Sequence, residues 1–366
     1  MRFRTRITAS SVLLAIVPLL VASLFIGIQS YDSGKSGINQ EVKQNLISRR
    51  NLKLAQIESY IQTIEKQAIA QADSTMFKNA AQAFIPAFDL YTSESTLPIQ
   101  AGEKLTQYYN NDFHSTYKEK NNGQELNIGS ILQGLGETTL DLQSSYMGDN
   151  PHPLGAKDSL DSYDDGSSYA IVHRTFHASI RKFLSTFGYY DIFIVEPQNG
   201  HVVYSVYKEV DYATSLETGP YKNSGLAEAY RNAKSLDHGH AKFTQFAPYT
   251  PSYESAAAFV STPIMNNGQL SAILIFQMPV DEINNMMTFN GNWKDSGMGD
   301  SAETYLVDKN KNILNNSRFY VEDPAGFLKL ITESGFSSDL INNIKDKQTN
   351  IGLLPVNSPG VEQALA

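Results

Sequence analysis

The chain contains no cysteine. Disulfides, thiolate metal sites and a cysteine nucleophile are therefore excluded. It also has no excess of positive charge: 29 basic against 38 acidic side chains give a formal net charge of -9. No basic stripe with interleaved aromatics occurs, so nucleic acid is not expected as a partner. There is no G-x-S-x-G turn, no P-loop and no dinucleotide fingerprint. Charged residues make up only 18% of the chain, and hydrophobic residues 41%, including 18 Phe and 20 Tyr. That is enough apolar material to fold most of the 366 residues into one large or two medium domains.

One long hydrophobic run is present. No charged side chain occurs from Ile7 to Tyr31, and Val12 to Ile28 is almost wholly apolar. As a helix, Ile7 to Ile28 spans roughly 33 Å, close to a hydrocarbon core about 30 Å thick. Arg2, Arg4 and Arg6 precede it. The positive-inside rule puts them in the cytoplasm and the residues after Tyr31 outside. Pro18 is tolerated in a membrane span. A cleaved secretory signal has a shorter apolar core, about 7–15 residues, and an A-x-A-like site. This run is longer and lacks a clear site, so an uncleaved anchor is expected.

A polar, amphipathic stretch follows. Leu54, Ile57, Ile61, Ile64 and Ala68 recur at spacings of three and four, and Val42 and Leu46 extend the stripe backwards. This period predicts a helix. From Ser36 to Phe84 there is no Pro, and the only Gly is Gly37. Unbroken, the stretch reaches roughly 70 Å. It reads either as a core helix or as a stalk that pairs with a second protomer.

Leu105 to Tyr117 looks helical, whereas Asn121 to Leu142 mixes glycines and polar turns with short apolar pieces. Asp158, Asp161, Asp164 and Asp165 crowd a loop ending at Gly166. Their spacing does not match a calcium loop, so a solvated acidic loop is expected. Tyr169 to Phe187 reads as a helix with Ile171, Val172, Phe176, Ile180, Phe183 and Leu184 on one side. Its His173 and His177 have metal-pair spacing but lack the intervening Glu of a zinc protease and an evident third ligand. Solvent or packing roles are expected for them, and His238-Gly239-His240 is expected to be a loop.

Beyond Gly188 the period changes to that of strands. Tyr190–Val195 and His201–Tyr207 flank the turn Pro197-Gln198-Asn199-Gly200. A short helix, Ser224 to Ala233, is followed by strands at Ala241–Phe246, Ala256–Pro263 and Leu270–Met278, the last pair joined at Asn266-Asn267-Gly268. This is the order of a PAS-like antiparallel sheet. A weaker second copy starts at Tyr305-Leu306-Val307-Asp308 with Ile313-Leu314, then gives way to helix-like sequence from Ala325 to Ile344.

The runs Phe187-Gly188-Tyr189-Tyr190-Asp191-Ile192-Phe193 and Val203-Tyr204-Ser205-Val206-Tyr207-Lys208-Glu209 resemble the extracellular sensors of methyl-accepting chemotaxis proteins with double Cache domains. So do Gly219-Pro220-Tyr221, Phe246-Ala247-Pro248-Tyr249, Pro251-Ser252-Tyr253 and Phe276-Gln277-Met278-Pro279. The resemblance covers nearly the whole chain. It implies an α+β fold: an N-terminal transmembrane helix and a long stalk helix, then a PAS-like antiparallel sheet module (Cache) followed by a partial second module. The expected segments are 1–6 cytoplasmic, 7–31 transmembrane, 32–85 stalk, 86–186 helical and loop region, 187–290 membrane-distal Cache module and 300–366 incomplete membrane-proximal module.

The resemblance implies the ligand-binding sensory region of a bacterial chemoreceptor in the inner membrane, single-pass as given and with its bulk periplasmic. It also implies a small-molecule ligand such as an amino acid or organic acid, and a homodimer. The sequence has no second apolar span and no signalling hairpin. Chemotaxis signalling proteins would therefore be reached only through a cytoplasmic region absent from it. Related sensors also feed histidine kinases and nucleotide cyclases, and a membrane-anchored envelope protein without signalling output is a further alternative. No enzyme activity, cofactor or metal is expected.

A sensor pocket needs a few convergent polar groups on an apolar wall. Tyr190 and Tyr204 lie on paired strands. Lys208, Asp211 and Tyr212 follow the second strand, Tyr221 leads into the next helix, and Phe246, Tyr249 and Tyr253 lie in a Pro-containing loop. Aromatic walls with one carboxylate and one ammonium suit a small zwitterion or organic acid.

Overall fold

The computed structural model describes residues 3–98 and 100–365, with residues 3–6 and 8 described by backbone alone. Of the three N-terminal arginines, Arg2 lies outside the described residues. The chain divides near Glu58 into two units. One helix, α1 (Phe3–Asp73), passes from the first into the second. Within the first unit, apolar residues from Val12 to Ile28 are exposed, and the helix is long and apolar enough to cross a membrane.

The expected helical stretch from Ser36 to Phe84 is helical on both sides of a break at Ser74. The Ser74 hydroxyl accepts the N–H of Phe77 at 3.2 Å and so caps a new helix, α2 (Thr75–Glu94). A hydroxyl here offers the backbone a partner outside the helical ladder, which the apolar period cannot reveal. Pro86 lies inside α2.

Short helices follow: α3 (Ala101–Gln107), α4 (His114–Lys120), α5 (Ile128–Gln133) and α6 (Glu137–Gln143). π-helical turns separate α3 from α4 (Tyr108–Phe113) and extend α6 (Ser144–Gly148). The two π turns belong to closely packed segments. A Cβ on Gly148 would lie 2.6 Å from the Leu105 nitrogen, so only glycine fits.

Helix α7 (Ser168–Phe187) is capped by the Ser167 hydroxyl and ends at Gly188, at φ +73°. Its buried stripe differs from the expected one. Ile171 is 63% exposed, while His173 and His177 are fully buried beside Tyr169, Ile180 and Leu184. The acidic loop before it is not simply solvated either. Asp165 is buried, accepting the Tyr91 hydroxyl at 2.5 Å and the Ser167 N–H at 3.0 Å.

The sheet contains β1 (Asp191–Val195), β2 (Val202–Ser205), β3 (Lys242–Phe243), β6 (Phe259–Asn266) and β7 (Gln269–Gln277), in the order β2-β1-β7-β6-β3. Every pairing is antiparallel, as expected. Asn267 and Gly268, at φ +48° and +78°, close the β6–β7 hairpin as a two-residue turn with left-handed residues requires. The turn between β1 and β2 is organised by Glu196, whose carboxylate accepts the N–H groups of Gln198 and Asn199.

Strand β1 is buried along its length because both faces of the sheet are covered. Phe193, Val195, Ile273 and Ile275 pack with Leu226 and Tyr230 of α8 (Gly225–Lys234). On the other face, Tyr204 meets Phe84 of α2 at 4.8 Å and Phe276 meets Phe183 of α7 at 5.7 Å between ring centres. The fully buried side chains among these, Phe193, Tyr204 and Phe276 for instance, contribute roughly 1.5–3 kcal/mol each. The strand expected from Ala241 to Phe246 is short, and a separate ribbon forms beyond it from β4 (Ala247–Tyr249) and β5 (Ser255–Ala257).

Helix α9 (Val280–Met287) leads out of the sheet. In the region of the expected second copy, Val307 and Ile313 form a single bridge, as do Asn312 and Pro355. The remainder is helical: α10 (Arg318–Glu322), α11 (Pro324–Glu333), α12 (Ser338–Lys347) and α13 (Pro359–Leu365). A small core of Ile313, Tyr320, Phe327, Ile331, Ile344 and Leu354 holds this part together.

Candidate functional site

The segment after β2 carries most of the chemistry. At Lys208 the backbone turns left-handed, at φ +55°, and again at Ala213, at φ +64°. Non-glycine residues adopt this conformation only when their surroundings hold them there. The Lys208 side chain folds back, and its Nζ donates to the carbonyls of Ser205 at 2.9 Å and Val206 at 3.1 Å. It stands 5.1 Å from the ring centre of Tyr204, 5.8 Å from that of Tyr212 and 6.0 Å from that of Tyr146. Burial brings its pKa down to about 7, opposed by Asp191. Asp191, on β1, accepts the N–H groups of Ile192 at 2.6 Å and Val206 at 2.8 Å, which fixes the exit of β2. Burial, reinforced by Asp211, pushes its pKa up to about 8.

A cavity of about 240 Å³ opens beside this segment. One wall is Tyr108 and Phe113 of the first π turn with Thr116 and Lys120 of α4. Leu154, Gly155 and Lys157 come from the strap 149–166 between the second π turn and α7. Tyr207 to Val210 form the floor, and Pro251 and Tyr253 close the remaining side. A neighbouring cavity of about 220 Å³ shares Gly155, Tyr207 and Glu209 and adds Tyr190, Ser252 and Gln277.

Asp211 is fully buried near this floor. The Tyr249 hydroxyl donates to Asp211 Oδ2, while Asp211 Oδ1 has no hydrogen-bond partner among the described residues. Burial pushes the Asp211 pKa up to about 6, against the Tyr249 hydrogen bond and the nearby backbone N–H groups of Asp211 and Tyr212, which fall outside hydrogen-bonding geometry to Oδ1. The buried Tyr221 hydroxyl is likewise without a partner. Its pKa is raised well above the ordinary value by burial first, then by Tyr109, Asp211, Tyr108 and Glu209. Glu209, half-buried, is pushed well above the carboxylate range by burial, Asp211 and Asp191, with Lys120 opposing. Gln143 braces the segment by donating to the carbonyls of Tyr212 at 2.6 Å and Val210 at 3.2 Å.

The structure thus sorts the nine sequence-predicted residues. Lys208 and Tyr253 line the larger cavity and Tyr190 the neighbouring one. Asp211, Tyr221 and Tyr249 form a buried group linked by hydrogen bonding and charge. Tyr204 and Tyr212 belong to the aromatic box around Lys208. Phe246 is half-buried and lines neither cavity. The Lys208 ammonium, expected to face a ligand carboxylate, is fully buried and held on backbone carbonyls.

The cavity has two other cations. Lys120 Nζ lies 4.5 Å from the ring centre of Tyr253, and Lys157 Nζ lies 5.2 Å from that of Tyr108 while donating to the Asn150 carbonyl at 2.9 Å. Sequence reasoning missed Tyr108, Lys120, Lys157 and Glu209. The first three come from the helical and strap region, whose approach to the sheet no local period encodes. Glu209 stood beside predicted Lys208 and could have been included.

The sequence matches no family profile and no curated protein. Among solved structures, the chain is similar to the ligand-binding domain of the Pseudomonas fluorescens chemoreceptor CtaA, in complex with L-valine. The identity is 14%, over 58% of this chain and 75% of that one, with a TM-score of 0.25. It is also similar to the ligand-binding domain of the Campylobacter jejuni chemoreceptor Tlp3, in complex with 4-methylisoleucine. There the identity is 9%, over 69% of this chain and 75% of that one, with a TM-score of 0.27.

Proposed function

We propose that this chain is the ligand-binding sensory region of a bacterial transmembrane chemoreceptor, anchored in the inner membrane by α1 with its bulk in the periplasm. Its ligand is a small metabolite carrying an ammonium and a carboxylate, as an amino acid does. The observation that carries the ligand class is the pair of unpartnered buried polar groups, Asp211 Oδ1 and the Tyr221 hydroxyl. Buried polar atoms without partners are costly, and an ammonium entering past Glu209 would satisfy both. Lys120 and Lys157 would receive the carboxylate, and the rings of Tyr108 and Tyr253 would flank the stem. The resemblance of the strand motifs to double Cache sensors supports the chemoreceptor assignment. Ligand contacts would favour one of two arrangements of the sheet module, and a homodimer would pass that bias through the membrane.

The test is thermal stabilisation of the purified full chain in detergent across amino acids, amines and organic acids. Stabilisation by at least one zwitterion, lost in both Asp211→Ala and Tyr249→Ala, is expected. Retention of the shift in both variants, or no stabilising member in the panel, overturns the reading.

A further inference from the structure

Over Asp158–Asp161 the strap that forms one wall of the cavity is held by one face of α7, while its Asp165 end is tied to Tyr91 and Thr96. His173, His177 and Arg181, at successive turns, all reach its backbone. His173 Nδ1 lies 2.7 Å from the Asp161 carbonyl, and His177 Nε2 lies 2.7 Å from the Asp158 carbonyl. Arg181 donates to the Asp158 carbonyl and, at 2.8 Å, to the Asp161 carboxylate. A carbonyl only accepts, so both imidazole nitrogens carry a proton and the tautomers follow. Neutral His177 then accepts the Tyr204 hydroxyl at Nδ1, 2.8 Å away. Neutral His173 is left with a bare, buried Nε2 that has no partner.

Neither ring can be charged where it stands. The two rings are stacked 4.3 Å apart. A proton on His173 Nε2 would have no acceptor, with the rings of Phe84, Tyr146 and Tyr204 around it. A proton on His177 Nδ1 would face the hydroxyl hydrogen of Tyr204. The charged and titratable groups around the pair are Lys208 beyond β2 and Arg181 on α7, Asp158 and Asp161 on the strap, and Asp191 on β1 acting through Tyr204 and Lys208. The hydroxyls of Tyr146, Tyr169 and Tyr204 complete the set.

We propose that His173 and His177 form an acid-released latch: neutral, they hold the strap closed over the cavity, and protonated, they let it go. Burial, followed by Lys208, lowers the His177 pKa to about 2 and holds that of His173 well below its ordinary value. In the released strap both imidazoles regain ordinary values near 6.5. The closed state therefore binds fewer protons, and it is lost as pH falls below about 6.5. Lys208, charged below about 7, adds to the repulsion on the same side of the pH scale. Two protons per opening raise the open fraction by up to about 100-fold between about pH 7.5 and 5.5.

The test is hydrogen exchange on the full chain in detergent without ligand, corrected for the intrinsic pH dependence. The Ala156, Ser159 and Leu160 amides are expected to exchange at least about tenfold faster at the lower pH, with the β6 and β7 amides unchanged. In His173→Gln/His177→Gln, whose amide N–H groups still donate but do not titrate, the dependence disappears. An unchanged wild-type strap overturns the latch, as does a rise shared with β6 and β7, or a pH dependence kept in the double variant. Should that variant not fold, imidazole ¹⁵N shifts of the wild type decide. A cationic His173 or His177 at neutral pH, or the opposite tautomer at either, overturns it, and the assigned neutral tautomers support it. Because no ligand is present, this outcome is independent of the ligand assignment.

Discussion

Tyr249 donates its hydroxyl to one oxygen of Asp211 and leaves the other oxygen buried and unpartnered. The carboxylate is oriented by its own protein on one side and open on the other. Asp211→Asn keeps the shape and removes the charge. It should weaken ligand binding by about 10- to 150-fold, the worth of a charge-assisted hydrogen bond. The unliganded variant should melt no lower than the wild type, since burying the charge is itself unfavourable. Calorimetric titration with a stabilising zwitterion checks this, and an unchanged Kd would count against it.

Lys208 is a structural cation. Replacing it with Met keeps the apolar stem but leaves the Ser205 and Val206 carbonyls without their ammonium donor. A loss of about 1–3 kcal/mol in urea unfolding is expected. A variant as stable as the wild type would show that these carbonyls readily find other partners.

Asp191 sets a pH dependence. Its pKa is raised to about 8 in the folded chain, against about 3.9 when unfolded. Between these values the folded chain binds the extra proton, so this group's contribution is greatest at low pH. It is lost as pH rises toward 8, by up to about 1.4 kcal/mol per unit. Asp191→Asn removes that dependence and should therefore be more favourable, relative to wild type, at about pH 8 than at about pH 5. Urea midpoints at the two pH values measure it, and an equal difference at both refutes it.

Two glycines separate crowding from strain. A Cβ at Gly148 would press on the Leu105 backbone, whereas one at Gly155, at φ +80°, meets nothing within 4 Å. Gly148→Ala should cost about 1–3 kcal/mol through overpacking, and Gly155→Ala about 1 kcal/mol through the left-handed backbone. Denaturant unfolding of the pair checks the order, which an inverted result would refute.

Much of the architecture was legible along the chain because it is written in short-range periods. The apolar run, the α7 span, the β1–β2 turn and the Asn267-Gly268 hairpin each follow from local residue types. The helix break at Ser74 was less legible, because one hydroxyl in a polar helix carries no periodic signal. Part of the candidate site could be read as well: Asp211, Tyr221 and Tyr249 were named from their places around strands and loops, as were the cavity-lining Lys208, Tyr253 and Tyr190.

By itself the sequence determined the apolar N-terminal helix and the antiparallel sheet, and it pointed to the segment after β2 as the candidate site. Only the tertiary structure decided which way each side chain of that segment faces. Lys208 turned inward because a left-handed residue and two carbonyls hold it there, leaving exposed Lys120 as the cavity's outward cation, with Lys157 buried against the Asn150 carbonyl. His173 and His177 became buried because the strap's carbonyls need donors, and those carbonyls lie 12 and 19 residues away along the chain. Hydrophobic periods encode the elements. The pairing of buried polar groups is settled by packing, where each donor must find an acceptor from another part of the chain.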